Sequence, residues 1–493
     1  MRGPVPLSTQ EVRLTPPCYV TTTIPYVNAR PHLGFVLEIV QADVLARHHR
    51  RRGRPVRFLT GTDDNSLKNV LAAQQEGVPT QELVDRNAGA FAALREPLAL
   101  TYDDFIRTST DPRHRRGVTE FWRACARSGD IYRRRYAGLY CVGCEQFYPP
   151  DELRDGRCPE HDTPPQPVSE ENWFFRLSRY AGELRELIGS GRLRIEPPAR
   201  RNEVLSFIDA GLADFSISRS RERAHGWGIP VPDDPDQVIY VWWDALGNYV
   251  TALGYGTESA DYPQWWVHSG QRVHLVGKGV LRFHAVYWPA MLLSAGVPVP
   301  TAVLVHDYLT VDGRKLSKSS GTGVDPLTLV DRFGADAVRW WLLREVPRVG
   351  DTDFTVDRLV ARANQDLANG AGNLVNRVVS MVHRYRDGRV PVDCAAPDWT
   401  QVDGTVDAAL AVGDFRTASA AVFGIVEAAN RYVERVRPWH LTGEPLDEAL
   451  DTLLSACTVL ARQLAPFLPG AAARIAAQCE PRTGRLPRAR PLF

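Results

Sequence analysis

The sequence predicts an α/β fold with a parallel sheet, an inserted segment in its middle and a C-terminal α-helical bundle. Three observations predict it. Short runs rich in β-branched residues alternate with helical runs near the start, a turn-rich segment with clustered cysteines follows, and the last part keeps helical spacing. The chain has 493 residues, which exceeds the size of a single hydrophobic core. Roughly two to four domains are therefore expected.

The composition is that of a globular chain, with 44% hydrophobic and 24% charged residues. Its net charge of +1 argues against indiscriminate nucleic-acid binding, although the run RHHRRRGR at 47–54 is a candidate for a local basic face. The N-terminus lacks an apolar run of signal-peptide length, and no window approaches the roughly 18 continuous apolar residues that cross a bilayer. The sequence therefore predicts a cytoplasmic protein with no membrane partner.

The elements follow in order along the chain. In residues 1–114, CYVTTTI and PVRFLTG predict strands, and GFVLEIVQADVLARHHRRRG between them predicts the helix of a βαβ unit. Residues 115–225 are Arg-rich and turn-rich, and they include PPDELRDGRCPEHDTPPQP. This composition predicts an insertion into the sheet domain.

The second half of the chain is expected to finish the sheet and then to form the bundle. In residues 226–350, VIYVWWDA, RVHLVG and TAVLVHDYL are strand-like and would complete the sheet. In residues 351–480, the spacing in AALAVGDFRTASAAVFGIVEAANRYVERV predicts packed helices. Residues 481–493 are expected to form a loosely held tail.

The clustered cysteines indicate a metal site. Eight cysteines in a chain of this length, in a reducing compartment, do not suit a disulfide framework. Cys141 and Cys144 are three apart in CVGC, and Cys158 and His161 are three apart in CPEH. Three thiolates and one imidazole suit tetrahedral zinc and leave no open coordination position. The sequence predicts one structural zinc ion, and the alternative is a chance grouping of buried cysteines.

Two further motifs suit a nucleotide. The glycine-rich segment GRKLSKSSGTG, residues 313–323, contains Lys315 and Lys318 among small polar residues. Two lysines on such a loop suit binding of a triphosphate and of the negative charge that builds on leaving pyrophosphate, whereas a solvated basic loop is the alternative. PHLGF, residues 31–35, would begin the first crossover helix, where Gly34 allows an adenine ring to approach the backbone.

PYVNARPHLGF and GRKLSKSSGTG together resemble the paired nucleotide motifs of class I aminoacyl-tRNA synthetases, and the chain is more closely similar to the methionyl-tRNA synthetase family. The segments that carry this closer resemblance are TIPYVNARPHLG, FLTGTDD, YCVGCEQFY, CPEH, NWFFRLSRY, WGIPVPDDP, VIYVWWDAL, FHAVYWPAML, VHDYLTVDGRKLSKSSGTGVDP, FGADAVRWWLLREVP, LANGAGNLVNRV and ANRYVERVRPWH. The resemblance implies a Rossmann-type catalytic domain at 1–114 and 226–350. It also implies an inserted zinc-knuckle connective domain at 115–225 and a helical anticodon-binding domain at 351–480.

The resemblance also implies site residues. The catalytic residues would be His32, Lys315 and Lys318. The residues that contact ATP would be Pro25, His32, Gly34, Phe35 and Lys318. The methionine pocket would consist of Ile24, Tyr26, Asp63, Trp242, Ala245, Tyr249 and His284. In such a pocket aromatic walls contact the thioether and Asp63 holds the ammonium group, although ordinary core packing is the alternative for the aromatic residues.

In the bundle, the resemblance implies that Asn373, Arg377 and Trp439 recognise the anticodon. Asn373 and Arg377 are four apart, so they share one helix face, and a tryptophan near them can stack on an unpaired base. Simple surface or core roles are the alternative for all three residues.

The function implied by the resemblance is ATP-dependent activation of methionine to methionyl adenylate, followed by transfer to the 3′ end of methionine tRNA. Magnesium would accompany ATP because it must neutralise the triphosphate. The partners would be methionine, ATP and tRNA. A monomer is expected because no appended dimerisation domain is seen.

Four residues depart from the family pattern near the predicted nucleotide site. Phe35 replaces a second histidine, Asn65 and Ser66 replace a histidine and a glycine, and Gly279 replaces an aspartate. Loss of a histidine donor would slow activation by roughly 100-fold or more. The alternative is therefore a diverged paralogue: a non-catalytic tRNA-binding or regulatory protein, or an amino-acid-activating enzyme that uses a different acceptor.

Overall fold

The computed structural model describes residues 15–144, 146–160, 162–315, 324–390, 401–482 and 484–493. The strands within these ranges are β1 (Cys18–Thr21), β2 (Val56–Thr62), β3 (Asp104–Arg107), β4 (Ile131–Cys141), β5 (Gln146–Tyr148), β6 (Gln166–Phe175), β7 (Arg194–Glu196), β8 (Phe215–Ser216), β9 (Ser218–Ser220), β10 (Pro230–Val231), β11 (Asp234–Ile239), β12 (Gln271–Gly277), β13 (Ala302–His306), β14 (Leu309–Val311), β15 (Arg314–Lys315) and β16 (Thr352–Asp353).

The helices within the same ranges are α1 (Leu33–Arg51), α2 (Leu67–Glu76), α3 (Thr80–Ala92), α4 (Pro112–Arg127), α5 (Ala181–Gly189), α6 (Pro198–Asp209), α7 (Val241–Thr251), α8 (Trp288–Ser294), α9 (Pro326–Phe333), α10 (Ala335–Arg344), α11 (Val356–Arg362), α12 (Asn373–Arg386), α13 (Gln401–Ala411), α14 (Phe415–Val436), α15 (Gly443–Leu464) and α16 (Pro469–Cys479). None of these helices combines the length and the apolar character needed to cross a membrane.

A parallel sheet lies at the centre of the fold, with strand order β3-β2-β1-β12-β13-β7. Each neighbouring pair in it is parallel. This arrangement confirms the predicted α/β class. From β1 the chain continues to β2 and β3, which lie on one side of β1 in the sheet. The later strands β12 and β13 lie on the other side of β1. The direction in which strands are added to the sheet therefore reverses between β1 and β12. In open α/β sheets, ligands bind beyond the carboxyl ends of the strands at such a point.

One strand prediction is wrong. VIYVWWDA was expected to complete the central sheet, but β11 ends at Ile239 and pairs antiparallel with β9 and β10 in a separate sheet. The following residues form α7, which is buried along nearly its whole length. A short apolar run is compatible with either a buried strand or a buried helix, which explains the error. β12 and β13 confirm the predictions made from RVHLVG and TAVLVHDYL.

The segment predicted as an insertion contains an antiparallel sheet with strand order β5-β4-β6-β8. β4 ends at Cys141, so the cysteine cluster lies at one end of this sheet. β7, which follows later in the same segment, returns to the central sheet and pairs with β13.

Helices α11 to α16 form the C-terminal bundle, and α1 packs against it through a shared hydrophobic core. The fully buried Arg339 of α10 donates to Asp43 of α1 at 2.8 Å and to the carbonyl of Phe467 at 2.8 Å. Arg51 and Arg52, at the end of α1, bond to Gln463 and Asp407 of the bundle. The run 47–54 therefore joins two parts of the molecule instead of forming an open basic face.

The last residues of the chain pack on the bundle. Leu486 and Leu492 are buried, and the Nε of Arg474 donates to the carbonyl of Leu492 at 2.8 Å. The amide of Gln478 donates to the carbonyl of Arg490 at 2.8 Å. The expectation of a loosely held tail is wrong, because two leucines of this segment reach the apolar core.

Candidate active site

The loop between β1 and α1 leads to a capped helix N-terminus. His32 has an extended backbone, and its Nδ1 accepts from the backbone N–H of Gly34 at 3.1 Å. Because Nδ1 is an acceptor, the proton of the neutral ring lies on Nε2. A Cβ at residue 34 would lie 2.9 Å from Cε1 of His32, so only glycine leaves room for this cap. PHLGF thus begins a helix, as predicted.

A cavity of about 180 Å³ opens at the carboxyl ends of β1 and β2. Its lining consists of Thr23, Ile24, Pro25, Tyr26, Asp63, Trp242, Ala245, Leu246, Tyr249, Val280 and His284. All seven residues predicted for a methionine pocket are in this lining, together with Pro25. Sequence reasoning missed Thr23, Leu246 and Val280. The first two adjoin predicted residues in the chain, and Val280 precedes His284 by four positions, so chain proximity was the available signal.

The cavity walls are mainly aromatic and aliphatic. The ring of Trp242 stacks on Phe283 with centroids 3.8 Å apart and an interplanar angle of 7°. Tyr26 meets Trp242 edge-on at 6.4 Å. Offset-stacked and edge-to-face contacts are favourable geometries for aromatic pairs and limit the movement of the rings. The cavity therefore has well-defined apolar walls.

His284 and Tyr249 form a neutral polar wall of the cavity. The Nδ1 of His284 lies 2.9 Å from the carbonyl of Val280, which only accepts, so Nδ1 carries the proton. The Nε2 of His284 consequently accepts from the hydroxyl of Tyr249 at 2.7 Å. Burial lowers the pKa of His284 to about 4 and raises the pKa of Tyr249. The Tyr249 hydroxyl is thus an uncharged group in a fixed orientation.

Asp63 contributes a carboxylate to the lining. Its backbone N–H donates to the carbonyl of Pro25 at 2.9 Å, and its Oδ1 accepts from the backbone N–H of Asn65 at 3.1 Å. The amide of Asn69 donates to its carbonyl at 3.0 Å. These bonds fix both the backbone and the carboxylate of a residue that is almost fully buried.

The neighbouring Asp64 has different partners. Its carboxylate accepts from the Nε of Arg107 at 3.0 Å and from the hydroxyls of Ser109 and Thr62 at 2.7 and 2.8 Å. Asp64 does not line the cavity. The two adjacent carboxylates therefore have separate surroundings, one at the cavity and one in a buried polar network.

Asn65 and Ser66, two of the departures from the family pattern, have structural partners. The side-chain amide of Asn65 donates to Asp244 at 2.7 Å, and Asp244 also bonds to Nε2 of His114 at 2.7 Å. The hydroxyl of Ser66 caps α2 by accepting from the N–H of Lys68 at 3.0 Å. Both substitutions are thus accommodated by buried or capping hydrogen bonds.

Gly279 is matched to Tyr308. A Cβ at residue 279 would lie 2.0 Å from the hydroxyl oxygen of Tyr308, so the phenol occupies the space of a side chain there. The ammonium of Lys278 lies 4.7 Å from the centre of the Tyr308 ring and donates to Asp351 at 2.6 Å. The N–H of Tyr308 also donates to Asp351, at 2.9 Å. A neutral phenol thus stands where the family usually has an aspartate.

Phe35 does not line the cavity. Its side chain is 7% exposed, and its ring meets Phe91 of α3 edge-on with centroids 5.0 Å apart. Both rings belong to the main hydrophobic core. The site of the missing histidine has therefore become part of an apolar contact between α1 and α3.

The cysteine cluster is compact. The sulphurs of Cys141, Cys144 and Cys158 all lie within 4.8 Å of one another, and those of Cys144 and Cys158 are 3.4 Å apart. Two thiolates on one zinc, with Zn–S bonds of about 2.3 Å, are roughly 3.8 Å apart, so the three sulphurs fit one tetrahedral ion. His161, the predicted fourth ligand, lies outside the described residues.

The cluster contacts the cavity wall directly. The indole N–H of Trp242 donates to the carbonyl of Cys144 at 3.4 Å. The hydroxyl of Tyr148 donates to the sulphur of Cys144 at 3.1 Å. The loop that carries the thiol cluster and one wall of the cavity are thus linked through Cys144.

Of the predicted phosphate loop, the structure describes residues 313–315. Lys315 ends β15, whose backbone pairs with β14, and nothing is described of its side chain. Lys318 falls in residues 316–323, which are outside the described ranges.

The three predicted anticodon residues lie on the surface of the bundle. Asn373 and Arg377 are exposed on the first turns of α12. Trp439 is 48% exposed in the short 3₁₀ turn Pro438–His440 that precedes α15. All three side chains are therefore accessible to a partner, and the exposed indole could stack on a base.

Comparisons with known proteins agree with this geometry. The family model for class I tRNA synthetases of the M group matches residues 18–164 and 150–379. The methionine–tRNA ligase of Thermotoga maritima is 42% identical over 448 residues, which cover 88% of this chain and 70% of the relative. That of Brucella suis is 41% identical over 474 residues, which cover 93% of this chain and 90% of the relative. The chain belongs to the methionine–tRNA ligase family.

Solved structures of the family superpose closely. Mycobacterium tuberculosis methionyl-tRNA synthetase in complex with methionyl-adenylate is 37% identical, with a TM-score of 0.89, and the match covers 97% of this chain and 100% of that one. The ligand-free form of the same enzyme gives a TM-score of 0.82 at 35% identity, covering 97% and 98% of the two chains. The backbone of this methionine–tRNA ligase family member is thus more similar to that of the adenylate complex than to that of the ligand-free form.

The packing of Phe35 leads to a prediction for Phe35→His. We expect the free energy of unfolding to fall by about 1–3 kcal/mol, because the change places a polar ring in an apolar contact and removes an aromatic pair. We expect no increase in methionine-dependent exchange of pyrophosphate into ATP. Denaturant unfolding and the exchange assay measure the two effects. Phe35→Leu is the control that removes the ring but keeps the site apolar, and faster exchange in Phe35→His than in the unmodified protein would contradict the prediction.

Proposed function

We propose that the chain is a working methionine–tRNA ligase: it activates methionine with ATP to methionyl adenylate and transfers the methionyl group to the 3′ end of methionine tRNA. One observation carries the proposal. The cavity at the carboxyl ends of β1 and β2 has in its lining every residue that the family pattern implies for methionine, although these residues come from distant parts of the chain.

The chemistry of the cavity suits methionine. Its aromatic and aliphatic walls would contact the polarizable thioether, and the neutral hydroxyl of Tyr249 would lie at its polar end. Asp63 would pair with the ammonium group through charge-assisted hydrogen bonds. The cavity of about 180 Å³ is small, as expected for an amino acid side chain. A substrate bound in this way would leave its carboxylate at the strand ends, where a nucleotide binds in such sheets.

Activation would then proceed by in-line displacement. A carboxylate oxygen of methionine would attack the α-phosphorus of ATP, the bond from that phosphorus to the oxygen bridging to the β-phosphate would break, and pyrophosphate would leave. Mg²⁺ bound to ATP would neutralise the charge of the triphosphate. His32 would donate from Nε2 to a phosphate oxygen, and Pro25, Gly34 and the start of α1 would lie against the nucleotide. Lys315 and Lys318 would stabilise the leaving pyrophosphate. In the second step a ribose hydroxyl of the tRNA terminus would attack the acyl carbon, the bond from that carbon to the phosphate oxygen would break, AMP would leave, and the hydroxyl proton would pass to the phosphate or to solvent.

We propose that Cys141, Cys144, Cys158 and His161 hold one structural zinc ion. With four protein ligands, the ion would stabilise the inserted segment and would leave no position for a substrate. The contact between Cys144 and Trp242 would make this loop a support for the methionine pocket. In this proposal residues 115–225 serve as the connective domain and residues 351–480 as the anticodon-binding domain. The protein would act as a monomer in the cytoplasm.

The structure favours the ligase over the non-catalytic alternative. Asn65 and Ser66 have hydrogen-bond partners, Gly279 is matched to the Tyr308 phenol, and Phe35 is packed against Phe91. Loss of function would remove the pressure to keep the cavity and the thiol cluster intact. The departures therefore represent a repacked nucleotide side of the site.

A charging assay tests the proposal. We expect the protein to attach labelled methionine to a methionine tRNA transcript in the presence of ATP and Mg²⁺. A transcript with an altered anticodon is the control and should be charged far more slowly. Charging of neither transcript by folded protein would refute the proposal.

Trp439 provides a prediction for the tRNA step. Trp439→Ala is expected to lower aminoacylation by roughly 5- to 100-fold, because stacking on one base is worth about 1–3 kcal/mol. Adenylate formation without tRNA should stay nearly unchanged. Val349→Ala, which truncates another exposed apolar side chain, is the control and should alter neither rate. An equal loss of both activities in Trp439→Ala would show that the tryptophan only supports packing.

A further inference from the structure

A buried hydrogen-bond chain joins α1, the β1–α1 loop and the end of β13. One carboxylate oxygen of Glu38, on α1, accepts from the backbone N–H and the hydroxyl of Thr23 at 2.7 and 2.5 Å. Its other oxygen lies 2.9 Å from Nε2 of His306. Thr23 lines the cavity, so this chain connects directly to the proposed methionine site.

The partners of His306 determine its charge. Its Nε2 faces the Glu38 carboxylate, and its Nδ1 lies 2.9 Å from the carbonyl oxygen of Asp307. Oε1 of Glu38 accepts both donors from Thr23, Oε2 faces Nε2 of His306, and the carbonyl of Asp307 can only accept. Opposite a Glu38 carboxylate, both ring nitrogens donate and the ring is an imidazolium. The side chains of His306 and Glu38 are 12% and 6% exposed, so this is a buried ion pair.

The other two imidazoles beside the cavity have different surroundings. His284 accepts from Tyr249, and Nε2 of His274 accepts from the indole N–H of Trp288 at 3.2 Å. Each of these rings has one donor partner and is therefore neutral. Burial lowers the pKa of both. Of these three histidines, His306 is the one that carries a charge.

The ion pair lies where it can control the site. His306 ends β13, and its ring faces Gly277 of β12, where an added Cβ would lie 3.5 Å from Cε1 of the ring. Glu38 lies on α1, six residues after His32. The loop 22–32 is thus bonded to Glu38 at Thr23 and to Asp63 at Pro25.

We propose that His306 is a positioning residue for methionine activation: its imidazolium orients Glu38, and Glu38 holds Thr23 and the loop that carries both Ile24 and His32. This inference rests on the proposed function. Loss of the charge on His306 would remove one of the bonds that fix Glu38 and would loosen the cavity wall. Methionine binding should weaken first, because Thr23 and its neighbours form that wall.

The pair has a defined pH dependence. The charged groups near His306 are Glu38 on α1, Asp307 next to it, and Arg348, which lines the same small cavity as His306. Asp307 is paired with Arg200 of α6, and Arg348 is paired with Glu196. Burial opposes the charged ring, but Glu38 and Asp307 outweigh it and raise the pKa of His306 above its ordinary value. A raised pKa means that the ion pair is intact at lower pH and is lost as pH rises through that value. Methionine affinity should therefore fall as the pH rises through the pKa of His306.

The test is the pH dependence of methionine binding, measured by calorimetry from about pH 6 to 9, with the KM for methionine in the exchange assay measured in parallel. In the unmodified protein we expect methionine affinity to fall by about 10-fold as the pH rises, because a hydrogen bond to a charged group is lost. This fall is called the alkaline limb below. His306→Gln and Glu38→Gln should bind weakly at every pH and lack the limb. His268→Gln, which changes an exposed imidazole, should keep it.

The variant Thr23→Val separates the contact with the cavity wall from the ion pair. Thr23→Val, which removes one donor to Glu38 but keeps the ion pair, should raise the KM while retaining the alkaline limb, even if His306→Gln fails to fold. A limb that persists unchanged in His306→Gln, or a loss of thermal stability without a change in affinity, would overturn the positioning role alone. No methionine binding by the unmodified protein at any pH would overturn the proposed function as well.

Discussion

Replacing Asp63 by asparagine is expected to lower kcat/KM for methionine in adenylate formation by roughly 100-fold or more. Among the described residues that line the cavity, Asp63 is the one carboxylate, and it is the partner proposed for the substrate ammonium. Asparagine has the same shape and can still accept from the N–H of Asn65, so the change removes mainly the charge. A loss of about 3 kcal/mol of charge-assisted bonding corresponds to roughly this factor. Initial-rate exchange kinetics at varied methionine concentration measure it.

Asp64→Asn is the matched control, because the same chemical change is made one residue away. Its partners are Arg107, Ser109 and Thr62, so we expect a lower free energy of unfolding, by about 1–3 kcal/mol, with methionine affinity largely preserved. If Asp63→Asn and Asp64→Asn change the KM equally, or if Asp63→Asn leaves it unchanged, the assignment of Asp63 to the ammonium group is wrong.

The second large effect is expected for Cys144→Ser. A hydroxyl is a poor ligand for zinc, and structural zinc sites bind with apparent free energies of about 10–16 kcal/mol, so loss of one thiolate should lower zinc affinity by far more than 100-fold. Elemental analysis should find about one zinc per chain in the unmodified protein and almost none in the variant. The KM for methionine should rise as well. Loss of the metal would loosen the loop that carries Cys144, and the carbonyl of Cys144 accepts from the indole N–H of Trp242 in the cavity wall.

Cys18→Ala is the control for the metal. Cys18 is a fully buried thiol at the start of β1, outside the cluster, so its loss should leave the zinc content unchanged. Full zinc content in Cys144→Ser would exclude Cys144 as a ligand, and absence of zinc from the unmodified protein would exclude the site.

The sequence predicted the parts of the fold that have a local signal. The β1–α1–β2 unit follows from alternating β-branched and helical runs, and the spacing of Cys141, Cys144 and Cys158 predicts that their thiols cluster. The strand assigned to VIYVWWDA failed because a buried helix and a buried strand are equally apolar. The tail at 481–493 was misjudged because its two buried leucines are separated by polar and charged residues, which gives no periodic pattern.

The candidate site was predictable only where a motif marked it. The residues proposed for methionine came from the family resemblance, and they converge on one cavity. Glu38 and His306 are 268 positions apart in sequence, so neither spacing nor periodicity relates them. Gly279 was visible as a departure, but its match with Tyr308 depends on a close approach between two strand ends. Pairings of this kind require the three-dimensional structure.

The most direct test of the ligase assignment is methionine-dependent exchange of labelled pyrophosphate into ATP, run with and without methionine tRNA on zinc-loaded protein. We expect exchange in both conditions, because the proposed methionine and nucleotide sites are built from the α/β part of the chain and need no tRNA to form. Absence of exchange in both conditions, from protein that is folded and still binds tRNA, would contradict it and would identify the chain as a non-catalytic relative.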